Sequence, residues 1–283
     1  MPHSPLPGFK ALPIGAVGTG KTWIIRTLIE MGITPMCIFT ENSFDVLGDT
    51  DPKKLHWMYI PPQIGDIQNL IDVANRLANM NADAIQKTHD MSRAQRNQYI
   101  PFLNALANFK CQRTGETFGN VGRWGTDKCL VIDSMSGLTI AATKLAVGEK
   151  YALTQPEFQL VQKTIENLVN QLCSFWCHVI VTAHPEREVD EAMGGVKIYP
   201  STMGRKLAPI LPRNFTDVFM TKWDGTKYIW DTQDPMAELK TRNMPKGILA
   251  PGYGQIVKAW QSRGGIITPE VGPPPSPQTQ PAT

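Results

Sequence analysis

Apolar residues come along this chain in short unbroken runs that alternate with longer amphipathic stretches, the pattern of strands and helices in an α/β domain. The first run, Phe9 to Ile14, predicts a strand that delivers the chain into Gly15 to Thr22, and Trp23 to Ile29 predicts a helix behind it. That helix should run to about Glu30 and stop at Met31-Gly32, where glycine can take the left-handed cap conformation. Pro35 to Thr40 predicts a second strand, ending at Glu41-Asn42, and Leu55 to Ile60 a third. Ile67, Leu70, Ile71, Ala74 and Leu77 then recur at helical spacing. The alternation is βαβ.

From Ala82 to Phe109 the chain is polar, with Lys87, His89, Arg93, Arg96 and then Lys110 along it, and reads as a helical excursion outside the core. Cys111 to Lys128 carries four glycines and reads as a loop. It leads into Cys129 to Ser134, an apolar strand ending in the carboxylate of Asp133. Pro156 to Phe175 predicts a long helix with Phe158, Val161, Ile165, Leu168, Val169 and Leu172 on one face. His178 to His184 predicts another buried strand, and Pro185 to Gly204, with Gly194-Gly195, reads as a mobile loop. Asp217 to Lys222 and Lys227 to Asp231 form a hairpin around Trp223-Asp224-Gly225-Thr226. Beyond Pro269 the Pro-, Thr- and Gln-rich chain is expected to stay disordered, because it has too little apolar surface to offset its ordering entropy. The expected organisation is an N-terminal extension at 1–8, a core at 9–247 holding the excursion and loop of 82–128, a C-terminal segment at 248–268 and a tail at 269–283.

Composition narrows the class. Hydrophobic residues at 42% and charged residues at 19% of 283 describe an ordinary globular protein. No apolar run approaches the roughly 18 residues of a membrane span. Met1 to Gly8 has neither the basic nor the apolar region of a secretory signal, so a cytoplasmic protein is expected. A net charge of +3 neither diagnoses nor opposes nucleic-acid binding. Five scattered cysteines argue for reduced thiols, and Cys173-x-x-x-Cys177-His178 reads as buried structure rather than a metal site.

The chemistry concentrates at Gly15-Ala16-Val17-Gly18-Thr19-Gly20-Lys21-Thr22, which reads G-x-x-x-x-G-K-T between a strand and a helix and runs on into Trp23. Glycines there let successive backbone N–H groups turn onto one anion, and the helix N-terminus adds partial positive charge. Lys21 would reach the β- and γ-phosphates of ATP, and Thr22 with Asp133 would hold Mg²⁺ and its waters.

With these motifs the chain resembles the RecA/RadA-like ATPases, most of all the small phage proteins made of a single RecA core that act in single-strand annealing and recombination. The resemblance spans Phe9 to about Gly247 and is carried by Gly15–Thr22, Leu130–Asp133, Glu41 and Val181–His184. It implies that Glu41 activates the attacking water, that His184 senses the γ-phosphate where RecA has glutamine, and that a DNA-binding loop follows. Lys197, Tyr199, Arg205 and Lys206 are the candidates in that loop, although its four acids balance its four bases. Glu238 to Asn243 resembles the segment that reaches a neighbouring subunit's ATP, which makes Lys240 and Arg242 candidates to act in trans.

The expected fold is a three-layer α/β sandwich, a mostly parallel RecA-like P-loop core with a C-terminal hairpin. The expected function is an ATP- and Mg²⁺-dependent recombination or annealing ATPase. Its partners would be single-stranded DNA, further copies of itself in a ring or filament and, additionally, a single-strand binding protein. Two alternatives stay open: a nucleotide-gated assembly or DNA-packaging factor without catalysis, and a small-molecule P-loop kinase.

Overall fold

The computed structural model describes residues 6–62, 67–79, 98–148, 153–189, 194–202 and 207–271. In chain order, β1 (Lys10–Gly15) is followed by a tight 3-10 type helix (Trp23–Met31), β2 (Thr34–Phe39), β3 (His56–Tyr59), α1 (Ile67–Ala78) and α2 (Tyr99–Ala107). Next come the short strands β4 (Phe109–Lys110) and β5 (Thr117–Gly119), then β6 (Lys128–Asp133), α3 (Met135–Val147), α4 (Gln155–Ser174) and β7 (His178–Val181). The last part holds β8 (Pro185–Val189), β9 (Val196–Pro200), β10 (Asp217–Trp223), β11 (Tyr228–Asp231), β12 (Lys240–Thr241), β13 (Ile248–Leu249) and α5 (Gly254–Ser262).

The main sheet runs β13-β11-β10-β1-β7-β6-β2-β3, with β12 on β10. β3, β2, β6, β7, β1 and β10 are mutually parallel. β11, β12 and β13 run antiparallel to their partners. Successive strand residues face opposite sides. Along β6, Leu130 and Ile132 enter one core while Cys129 and Val131 enter the other. A strand buried on both faces reads as an unbroken apolar run, which explains the short runs of the sequence. The first core is covered by residues of α2, α3 and α4, the second by the Trp23–Met31 helix and α5. This is the expected mostly parallel α/β fold with helices on both faces.

Local signals behave as their chemistry dictates. Gly32 closes the first helix at φ 74°, and its N–H reaches the Ile29 carbonyl. The N–H of Thr154 donates to Glu157 at 2.8 Å at the start of α4, half of a capping box. Asp224 accepts N–H bonds from Thr226 and Lys227, which shapes the β10–β11 turn with Gly225 at φ 100°.

Two expectations need correcting, and one helix had no counterpart in the sequence pattern. Residues 99–109 are not outside the core: Tyr99, Phe102, Leu106 and Phe109 are buried in it. The helix α3 shows no amphipathic period because Met135, Leu138, Ala141, Ala142 and Val147 bury most of its circumference. The segment after His184 is a hairpin rather than a loop, paired from Pro185↔Pro200 to Val189↔Val196, with positive φ at Gly194 and Gly195 beyond its last pair. Lys87, His89, Arg93, Arg96 and the tail at 272–283 lie outside the described residues. No described helix is long and apolar enough to cross a membrane.

At the amino end of β1, Lys10 is buried and donates to the carbonyls of Phe175 at 2.8 Å and Cys177 at 2.5 Å. Burial pushes its ammonium pKa down. The five cysteines are free thiols, and burial raises the pKa of Cys173 to about 12. Next to them His178 accepts the Phe9 N–H on Nδ1 at 3.1 Å, and burial, then the nearby Lys10 charge, holds its pKa well below 6.5.

The sign of that shift sets a pH dependence. Below about pH 6.5 the unfolded chain takes up a proton that folded His178 refuses, so the stability it contributes is present above that pH and lost as pH falls. Burial pushes His56 the same way. Unfolding free energy is expected to drop by up to about 1.4 kcal/mol per pH unit for His178 below its unfolded pKa. His178→Gln, which keeps an acceptor for the Phe9 amide, should flatten that slope in denaturant titrations run between about pH 5 and 7.

Candidate nucleotide-binding site

Parallel strands direct their carboxyl ends to one edge, and an α/β sheet binds ligands at that edge. Here β1 hands over to the glycine loop at Gly15, β6 ends in Asp133, β7 leads to Thr182 and His184, and β2 leads to Thr40 and Glu41. The loop takes its shape from its glycines. Gly18 and Gly20 have φ of 77° and 80°, which other residues rarely adopt. A Cβ on Gly15 would stand 1.9 Å from Thr221 Oγ1 on β10, so glycine is required there for close approach. Thr19 Oγ1 bonds Thr221 Oγ1 at 2.8 Å and ties the loop to that strand.

Lys21 lies under the loop, buried, with Nζ donating to the carbonyls of Gly15 at 2.6 Å and Ala16 at 2.8 Å. Burial lowers its pKa, and the carboxylates of Asp133 and Glu41 oppose that shift. An ammonium held by neutral carbonyls in a walled-in position favours an anion above it, which fits a polyphosphate.

Asp133 accepts three hydroxyls. Thr182 Oγ1 donates to Oδ1 at 2.5 Å, while Thr22 at 2.6 Å and Ser43 at 3.1 Å donate to Oδ2. A carboxylate beside a loop threonine hydroxyl is an oxygen donor set that suits Mg²⁺ with its waters. Glu41 stands beside them. Its Oε1 accepts the hydroxyl of Ser134, and its Oε2 lies 3.5 Å from His184 Nε2. Lys21, Thr22, Glu41, Asp133 and His184 thus line one cleft of about 870 Å³.

Tyr228, Trp230 and Pro251 complete the apolar wall of this cleft. The Tyr228 ring packs against Gly20, where a Cβ would meet it at 3.6 Å. Trp23 is half-exposed, with the Arg26 guanidinium 4.8 Å from its ring centre. The sequence reading missed Ser43, Ser134, Thr182, Thr221 and Tyr228. For most of these a signal existed: the apolar runs of β2, β6, β7 and β10 each meet a hydroxyl residue at their carboxyl end, namely Thr40, Ser134, Thr182 and Thr221. Nothing comparable marked Tyr228.

Two predicted groups stand elsewhere. Lys240 pairs with Val218 on the amino half of β10, level with Leu12, whereas Gly15 is level with Thr221. Three residues of strand separate those levels, about 10 Å. Lys240 Nζ donates to the Arg213 carbonyl at 3.0 Å, and the Arg242 N–H to Thr216. Within one chain both lie toward the opposite edge of the sheet. On the β8–β9 hairpin, Lys197 stands opposite Glu188 and Tyr199 opposite Glu186, so each candidate DNA contact faces an acid. Arg205 and Lys206 lie outside the described residues.

Taken together, the glycine loop, the sheet edge and the cleft form a candidate nucleotide-binding site on an α/β fold. No protein-family model and no curated protein matches the sequence. Among solved structures the chain is similar to the crystal structure of the RadB recombinase, at 13% identity and a TM-score of 0.37, over 86% of this chain and 85% of that one.

Close packing behind the site gives a direct test. A Cβ on Gly137 would stand 2.1 Å from Thr40 Oγ1 and 2.8 Å from Thr40 Cβ. Gly137→Ala should therefore force α3 away from the end of β2 and destabilise the fold by about 1–3 kcal/mol in denaturant titration.

Proposed function

We propose that the protein is a Mg²⁺-dependent ATPase that acts as an oligomer on single-stranded DNA, in recombination or annealing. The observation that carries the ATPase reading is the convergence of Lys21, Thr22, Asp133, Glu41 and His184, from four strand ends, on one cleft. The glycine loop's N–H groups and Lys21 bind the phosphates. Bound Mg²⁺ would be held through Thr22 and Asp133 and would neutralise charge developing on the β- and γ-oxygens. Glu41 orients a water and takes its proton as the water oxygen bonds to the γ-phosphorus and the bond to the bridging oxygen breaks. To His184, which lies 3.5 Å from Glu41, we assign contact with the γ-phosphate.

The DNA part of the proposal draws support from connectivity. His184 directly precedes β8, and the Ser201 N–H bonds the His184 carbonyl at 2.7 Å, so the base of the β8–β9 hairpin is built on that residue. A change in what His184 contacts reaches the hairpin through its own backbone. Because Lys240 and Arg242 lie away from the cleft of their own chain, their proposed role requires a neighbouring subunit. The core proposed for this activity is 9–247, with 248–268 as a C-terminal segment.

Purified Lys21→Ala should lose ATP hydrolysis and bind ATP weakly, and Asp133→Ala should lose Mg²⁺-dependent binding. Glu41→Gln should bind ATP normally and turn it over slowly; normal turnover in that variant would remove the base assignment. Stimulation of ATPase activity by single-stranded DNA separates the proposal from a kinase and from a nucleotide-gated assembly factor.

The shared-site proposal is tested by mixing. Lys21→Ala and Arg242→Ala subunits, each inactive alone, should regain part of the activity when co-assembled. The Arg242→Ala loss itself should be on the order of 10³-fold in turnover. Mixtures that co-assemble without recovery would leave Lys240 and Arg242 as surface charge.

A further inference from the structure

Glu41 lies two residues past the end of β2, and its side chain is 40% exposed. A glutamate there has three rotatable bonds and loses rotamer freedom if it is to aim at one water. Its neighbour Ser134 is the reverse: fully buried, at the N-cap of α3, and fixed from several sides. The Ser134 N–H donates to Thr40 Oγ1 at 3.0 Å, while the Thr40 N–H donates to the Asp133 carbonyl at 2.8 Å. The Ser134 hydroxyl accepts the Gly137 N–H at 3.4 Å. A hydroxyl has one hydrogen. With a lone pair committed to the helix N-terminus, that hydrogen is directed onto Glu41 Oε1, to which the Ser134 hydroxyl donates. Gly137 makes this geometry accessible, because any Cβ there would collide with Thr40.

We propose that Ser134 is a positioning residue for Glu41, a rigid donor that pins Oε1 and leaves Oε2 turned toward His184 and the cleft. The inference rests on the reading of Glu41 as the water-activating base and adds the group that fixes its aim. Asp133 and Ser134 thereby divide one strand end between two tasks, cation binding by the first residue and orientation of the base by the second. Ser134 itself is fully buried and does not line the cleft.

The test separates aim from binding. Ser134→Ala should lower turnover at saturating ATP by about 10²-fold, the cost typical of a misplaced reacting group. Isothermal titration should show its ATP affinity and Mg²⁺ dependence unchanged. Ser134→Thr, which keeps a hydroxyl and a good N-cap, should recover most of the turnover. Ser134→Cys, close in volume but a weak donor, should fall below wild type, and it keeps the test available if the alanine variant does not fold. The decisive comparison is in the Glu41→Gln background, where Ser134→Ala should cost nothing further in turnover. A further loss there of the same size as in wild type, a weakened ATP affinity that accounts for the loss, or wild-type turnover in folded Ser134→Cys would overturn the positioning role while leaving Glu41 as base. Wild-type turnover in Glu41→Gln alone would remove the base reading and this inference with it.

Discussion

Three hydroxyls meet on the Asp133 carboxylate, and each belongs to a different part of the fold. Thr22 brings the end of the glycine loop, Ser43 the turn after β2, and Thr182 the end of β7. A buried carboxylate without donors is costly, and these donors satisfy both of its oxygens. The same bonds hold the strand ends in register around the cleft. The carboxylate proposed to hold Mg²⁺ and the contacts that organise this edge of the sheet are therefore the same atoms.

The two ends of β1 make a useful comparison. Each has a buried ammonium held by backbone carbonyls, Lys10 at one end and Lys21 at the other. Burial lowers the pKa of both. What distinguishes them is the surrounding charge. Lys10 has thiols and a neutral histidine for company, whereas Lys21 has Asp133 and Glu41. Burial of a charge alone does not mark a site; burial among convergent oxygen donors does.

Much of this was legible in the sequence because parallel strands buried on both sides must be apolar throughout, and Leu130–Val131–Ile132 or Val179–Ile180–Val181 can hardly be read otherwise. The glycine loop was legible because its spacing follows from backbone geometry. What stayed hidden has equally physical causes. Helix α3 is buried around most of its surface and carries no periodic signal. On the β8–β9 pair charged and apolar residues share the exposed positions, Glu186 and Lys197 with Val189 and Val196, so its strands lack the apolar alternation that announces a hairpin. The hydroxyl of Ser43, in the turn after β2, acquires meaning only once non-adjacent segments meet. The level of Lys240 along β10 depends on a strand pairing more than 20 residues away, which no local pattern encodes.

The β8–β9 hairpin is held at its root and again at its middle. The Ser201–His184 bond fixes its root, and the bond from the N–H of buried Ile198 to the Met236 carbonyl at 2.7 Å fixes its middle pair. Two residue pairs, Glu188↔Lys197 and Val189↔Val196, extend beyond that second tether, an overhang of roughly 7 Å at about 3.4 Å per residue. An element clamped at two points moves as one piece, so a displacement at His184 is passed through the paired strands to the Met236–Ala237 segment.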